Sequence, residues 1–150
     1  MTPQKTRILF DSFPTLYRGR HLPVKESLMS MGFMCKDGWF DLIYELSLKI
    51  TNLACINNIT VEESENYPLV SQVKEKFGQL RYYIEWNPQS PIESELNQLI
   101  DEYEKKSLTV CEDCGKEGFL DESSQWWMTK CQDCWNSFST ALELLQRNKQ

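Results

Sequence analysis

The segment CEDCGKEGFLDESSQWWMTKCQDC, residues 111 to 134, carries two C-x-x-C pairs separated by sixteen residues. No other stretch restricts the fold so tightly. Two residues between cysteines let one tight turn aim both sulfurs at a single point. The N–H groups of that turn also stabilise the negative charge that builds there. Gly115, directly after the first pair, supplies the positive φ that such a turn favours. The spacer falls in the range of C-x₂-C…C-x₂-C zinc sites. Cys111, Cys114, Cys131 and Cys134 are therefore the candidate metal ligands, with Zn²⁺ as the expected ion. The role expected of it is structural, because four thiolates close a tetrahedral site and leave no open position for a substrate. A dithiol redox centre would call for one C-x-x-C beside a βαβ pattern, which the chain lacks. A catalytic zinc site commonly includes His or a carboxylate, and the one histidine, His21, lies far upstream.

The sequence around the cysteines completes a small module. Phe119-Leu120 and Trp126-Trp127-Met128 read as two strands joined through DESSQ. Trp135, Phe138, Leu142 and Leu145 have helical spacing, so the second pair opens a C-terminal helix whose dipole favours thiolates. Knuckle, hairpin, knuckle, helix is a treble-clef-like order.

Upstream, residues 1–36 are punctuated by Pro3, Pro14, Gly19, Pro23 and Gly32 and read as loops, with a short helix near Lys25 to Met31. A long helix is predicted from Asp37 as N-cap. Trp39, Leu42, Ile43, Leu46, Ile50, Leu53 and Ala54 share its apolar face, and Asn57-Asn58 mark its end. TVEESENYP is a connecting loop. LVSQVKEKFGQLRYYIEW then predicts a β-hairpin turning at Phe77 to Gln79, with Leu80, Tyr82, Ile84 and Trp86 on one side. Ser90, Pro91 and Glu93 form a capping-box pattern that opens a helix over 91–106, with Ile92, Leu96, Leu99, Ile100 and Tyr103 as its stripe. Cys35 and Cys55 are expected to be buried small hydrophobes. The fold class is α+β: helices packed on a β-hairpin, with a C-terminal treble-clef-like four-cysteine zinc module. The expected division is an α+β domain over 1–107 and a zinc-finger module over 108–150. The module docks on the domain, since no Gly/Ser-rich linker separates them.

The chain has 150 residues, 41% hydrophobic and 25% charged, which is the balance of a globular protein. Its formal charge of −6 disfavours a phosphate backbone as partner unless a local basic face exists. One candidate face is the hairpin over 73–86, where Lys74, Lys76 and Arg81 alternate with Phe77, Tyr82, Tyr83 and Trp86. The residues of the cysteine segment argue against nucleic acid: six carboxylates stand there against Lys116 and Lys130. WFDLIYELSLKI is interrupted by Asp41, Glu45 and Lys49 and is no membrane span, and MTPQKTRILFDSF has no apolar core of signal-peptide length. A cytoplasmic location is expected, where paired cysteines serve as metal ligands more often than as disulfides. No phosphate loop, nucleophile elbow or HExxH is present, so catalysis is not expected. His21 reads as a surface or packing residue. Trp126, Trp127 and Trp135 are candidate anchors for a protein partner, one or more of them covering the metal site.

Val73, Lys74, Glu75, Lys76, Phe77, Gly78, Leu80, Arg81, Tyr83 and Ile84, followed by the four cysteines with Gly115 and Gly118, resemble a family of small bacteriophage and prophage proteins. DGWFDLI at 37–43 and YRGR at 17–20 resemble the N-terminal half of the same family. Many of its members carry His in the last ligand region, where this chain has Cys134. The resemblance carries no common activity. It implies a phage accessory protein in a host cytoplasm that binds a host or phage protein, for example a defence or nucleic-acid-handling factor. The alternative is a nucleic-acid-binding zinc-finger regulator that uses the hairpin over 73–86.

Overall fold

One hydrophobic cluster runs from Leu9 to Tyr103 and gathers nearly every predicted apolar stripe. The computed structural model describes residues 1–60, 67–123 and 126–147, with side chains of the last helix described as far as Ala141. Six residues of the TVEESENYP loop, two of the DESSQ turn and the side chains of Leu142 and Leu145 lie outside this description.

Pro3–Ser12 form helix α1 where loops are expected. Pro3 stands in the first turn, where its missing N–H costs nothing. Leu9 is the one fully buried residue of this helix, so the sequence offers little periodicity to read. The predicted short helix near Lys25 to Met31 is a 3-10 turn over Leu28–Met31, with the Ser27 hydroxyl accepting the Met29 N–H at 3.2 Å.

Helix α2 spans Phe40–Ile56 behind a 3-10 turn at Asp37–Trp39. Asp37 does not cap it. Its carboxylate instead accepts the Thr2 N–H at 2.6 Å and ties α1 to the start of α2. Trp39, Leu42, Ile43, Leu46, Ile50 and Ala54 are buried as their spacing predicts. The helix ends in a Schellman motif. Asn58 has φ +55°, its N–H reaches Cys55 O at 3.1 Å, and the Ile59 N–H reaches Ala54 O at 2.9 Å. Cys35 is buried, and burial pushes its thiol up to about 12. Cys55 is exposed, against expectation, because it falls one residue past Ala54 on the turn of the helix away from the core.

Strands β1 (Leu69–Lys76) and β2 (Gln79–Glu85) pair antiparallel with Lys76 opposite Gln79. Val73, Leu80, Tyr82 and Ile84 face the core. Both edges of this two-stranded sheet are covered. Met34 exchanges hydrogen bonds with Val73 O (2.9 Å) and the Glu75 N–H (3.0 Å) along β1. Along β2, the N–H groups of Tyr82 and Leu80 donate to Glu104 Oε1 and Ser107 Oγ, each at 2.9 Å. Those acceptors lie at the end of helix α3, Glu93–Lys106. Covered edges remove the template for strand addition. The Ser90 capping box does not form: α3 starts at Glu93, and Ser90 contributes only its carbonyl, to the Glu93 N–H at 3.2 Å. Pro91 therefore sits in the preceding turn.

The cysteine segment folds as strands β3 (Phe119–Asp121) and β4 (Met128–Lys130) and helix α4 (Gln132–Arg147). Trp126 and Trp127 lie before the strand instead of in it. The strand starts at Met128, the residue opposite Asp121 at the end of β3. The architecture is α+β, with two antiparallel hairpins. Among the described residues no helix is long and apolar enough to cross a membrane.

A buried hydroxyl cluster joins three of these elements. Tyr17 Oη lies 2.6 Å from Ser47 Oγ and 3.0 Å from Tyr82 Oη, and Ser47 donates to Ile43 O at 2.6 Å. Burial raises the pKa of both phenols, and the Tyr82 charge adds to the rise at Tyr17. Each group is therefore kept neutral in the fold. Their stabilising contribution is complete below the unfolded tyrosine pKa, about 10, and is lost as pH climbs above it. Alkaline titration of the unfolding midpoint should show stability falling steeply above about pH 10. The Tyr82→Phe variant should flatten that fall.

Candidate metal centre

The first knuckle is held against the core by backbone. The Gly38 N–H donates to Glu112 O at 2.7 Å, and the Trp39 indole N–H donates to Val110 O at 2.8 Å. A Cβ on Gly38 would lie 2.1 Å from Cys111 O and 2.6 Å from the Gly115 N, so only glycine fits there. Inside the knuckle the Gly115 N–H returns to Cys111 O at 2.9 Å, with Gly115 at φ +80°. The predicted glycine turn is present. The second knuckle comes from the end of β4 and the start of α4: Cys131 precedes the helix and Cys134 stands in its first turn.

The four sulfurs lie within 4.8 Å of one another, and Cys114 Sγ is 3.6 Å from Cys131 Sγ. A tetrahedral ion with metal–sulfur bonds of about 2.3 Å needs sulfurs about 3.8 Å apart. The cluster is that size, and the donor set can hold a metal ion. Cys111 and Cys131 are buried, while Cys114 is exposed and Cys134 half-buried. Burial opposes ionisation of Cys111, but backbone hydrogen bonds at Cys131, Cys114 and Asp113 outweigh it and bring its thiol down to about 7. Burial and the neighbouring sulfurs push Cys134 up instead. Four thiolates repel each other, and a bound dication is what allows all of them to ionise.

A charged lattice supports the knuckle from behind. Lys130 is 2% exposed, and its ammonium bonds to the Asp113 carboxylate. Lys36 bonds to the other oxygen of Asp113 at 2.6 Å. Glu112, also buried, accepts the Lys36 N–H at 3.0 Å. Burial raises the pKa of Glu112, against that hydrogen bond. Gly38, Lys36, Asp113 and Lys130 are residues that sequence reasoning missed. Nothing in their local pattern shows that they meet. The glycine of DGW was the one available signal.

The second hairpin also meets the first. The turn of β1–β2 is Phe77-Gly78, with φ +54° and +72°. Gly78 O accepts the Thr129 hydroxyl at 2.6 Å. The Phe77 and Trp127 rings stand edge to face at 5.9 Å. Trp135 is half-buried, 5.9 Å from the Phe138 ring. His21 is exposed.

Fold and site together describe an α+β protein with a four-cysteine cluster held against its core through Gly38 and Trp39. No protein-family model, curated protein or solved structure matches the chain.

Two substitutions test the lock. Gly38→Ala must displace backbone, and overpacking of that kind costs about 3 kcal/mol. Asp113→Ala strands the buried Lys130 ammonium, and loss of one partner from a buried pair costs about 3–5 kcal/mol. Denaturant midpoints should fall accordingly. Gly32→Ala, whose new Cβ meets nothing nearer than a Thr6 methyl at 3.7 Å, should cost only the strain of its positive φ.

Proposed function

We propose that the cysteine cluster holds a structural Zn²⁺ in a treble-clef-like module, and that the protein is a non-enzymatic accessory factor that binds a protein partner. Sulfur spacing and an all-thiol donor set support zinc. The order of knuckle, β3–β4 hairpin, knuckle and α4 supports the treble-clef reading. The carboxylates beside the centre, Glu112 and Asp113, are each committed to internal partners, which supports scaffolding over acid–base work.

The observation that carries partner binding is an open, mainly apolar cleft of about 900 Å³ between the tip of the first hairpin and the cysteine module. Its rim presents Phe77, Trp126 and Trp127 at 63%, 78% and 41% exposure. Large aromatic side chains at that exposure are the usual anchors of protein interfaces. The resemblance to phage proteins supports a host or phage protein as the partner and the host cytoplasm as the place. A second reading, nucleic-acid binding, is favoured by one observation: Lys74 stands over the Tyr83 ring at 5.3 Å, and Lys76 over the Phe77 ring at 5.5 Å. The formal charge of −6 ranks it second.

Purified protein should carry about one zinc per chain by elemental mass spectrometry. Cys114→Ser and Cys131→Ser should lose the metal. Chelation should unfold at least the cysteine module, since zinc at such sites contributes about 10–16 kcal/mol. A tagged chain should retain a specific protein from bacterial lysate after nuclease treatment. Retention of nucleic acid alone would favour the second reading.

A further inference from the structure

The cleft between the hairpin tip and the cysteine module has an unusual charge inventory. Its two carboxylates are already spent internally: Glu75 Oε1 accepts the Gly78 N–H at 2.6 Å, and Glu112 accepts the Lys36 N–H. Lys36 is paired with Asp113, and on the same side Arg81 is paired with Glu104 at 2.7 Å. Lys74 and Lys76 are different. Among the described residues neither has a carboxylate within ion-pair distance, and each ammonium meets only an aromatic ring. In a chain with 22 acidic and 16 basic residues, two such lysines two positions apart on one strand form a local basic spot. They alternate along β1 and end at the lip of the apolar cleft.

The tip itself is strained. A two-residue turn with φ positive at both positions favours Asn-Gly, and here the first position is Phe77. A bulky residue in the left-handed region is strained. What the fold obtains for that cost is an aromatic ring held out at the cleft mouth, 63% exposed and propped edge-on by Trp127.

We propose that this cleft docks an acidic segment of a protein partner: a bulky apolar side chain enters between Phe77, Trp127 and Met34, and an adjacent carboxylate pairs with Lys74 and Lys76. The proposal rests on the protein-binding reading above and specifies its face and ligand chemistry. A single nucleic-acid strand also offers rings and anions. It requires cations along a track, however, and Lys74 and Lys76 make only a short one. The short reach of the basic patch, beside a concave pocket with methionine walls, fits one anchor and one or two carboxylates.

The test is selection of a displayed random dodecapeptide library against the full zinc-loaded chain. The affinity of a winning peptide is then measured by fluorescence anisotropy, with labelled oligothymidylate in parallel. The expected winners pair Trp, Phe or Leu with neighbouring Asp or Glu. Their affinity should fall about tenfold in Lys74→Glu/Lys76→Glu and in Trp127→Ala, and should weaken with salt. Phe77→Asn separates docking from folding: it relieves the strained turn, so the unfolding midpoint should hold or rise while affinity drops. Winners without acidic residues, or unaffected by these variants, would overturn the assigned face and leave protein binding standing. No winners, or preference for oligothymidylate, would overturn both.

Discussion

The backbone contact between Gly38 and the first knuckle is the constraint on which the rest of the arrangement depends. It joins the start of α2 to Cys111–Gly115 at a separation no side chain would allow. It thereby fixes the cysteine cluster relative to the hydrophobic core. The indole of Trp39 adds a second bond to Val110, and the Lys36–Asp113–Lys130 lattice a third connection. A metal at the cluster would stabilise the same knuckle from the other side. Metal binding would therefore be coupled to core packing through one short segment, Lys36 to Trp39.

That placement also builds the cleft. Docking the knuckle on Gly38 sets β4 beside the turn of the first hairpin, where Thr129 bonds Gly78 O. A Cβ on Gly78 would meet Leu120 Cδ1 at 2.3 Å, so the two hairpins approach through a second glycine. Phe77 and Trp127 then face each other across the junction. The aromatic surface follows from two glycines in close contact, not from a run of exposed residues in the chain.

Each hairpin edge is consumed by a neighbour. Met34 lies along β1, and Glu104 with Ser107 lies along β2. Strand addition is thereby disfavoured at the larger sheet, whose exposed tip presents side chains instead of open backbone. Lys74 and Lys76 project from that sheet over the Tyr83 and Phe77 rings, which gives the acidic chain a small basic spot next to an apolar opening.

The sequence by itself determined much here. The stripes of α2 and α3, the hairpin near Phe77, the order of the cysteine module and the four cysteines that converge were all legible, because periodicity and C-x-x-C spacing are local and strong. The asparagine end of α2 was legible for the same reason. Helix α1 was not, because its single buried residue leaves no pattern. The Asp37 cap failed because a tertiary partner competed, its carboxylate turning to Thr2; the Ser90 cap failed because α3 began three residues after it. Trp126 and Trp127 fell outside β4 because β3 ends at Asp121, whose partner is Met128. Only the tertiary structure decided what lies behind and beside the cysteines. The pairing of Asp113 with Lys36 and Lys130, the fit of Gly38, and the cleft that opens beside Lys76 depend on contacts between residues far apart in the chain. No local pattern encodes a distance between segments that only packing brings together.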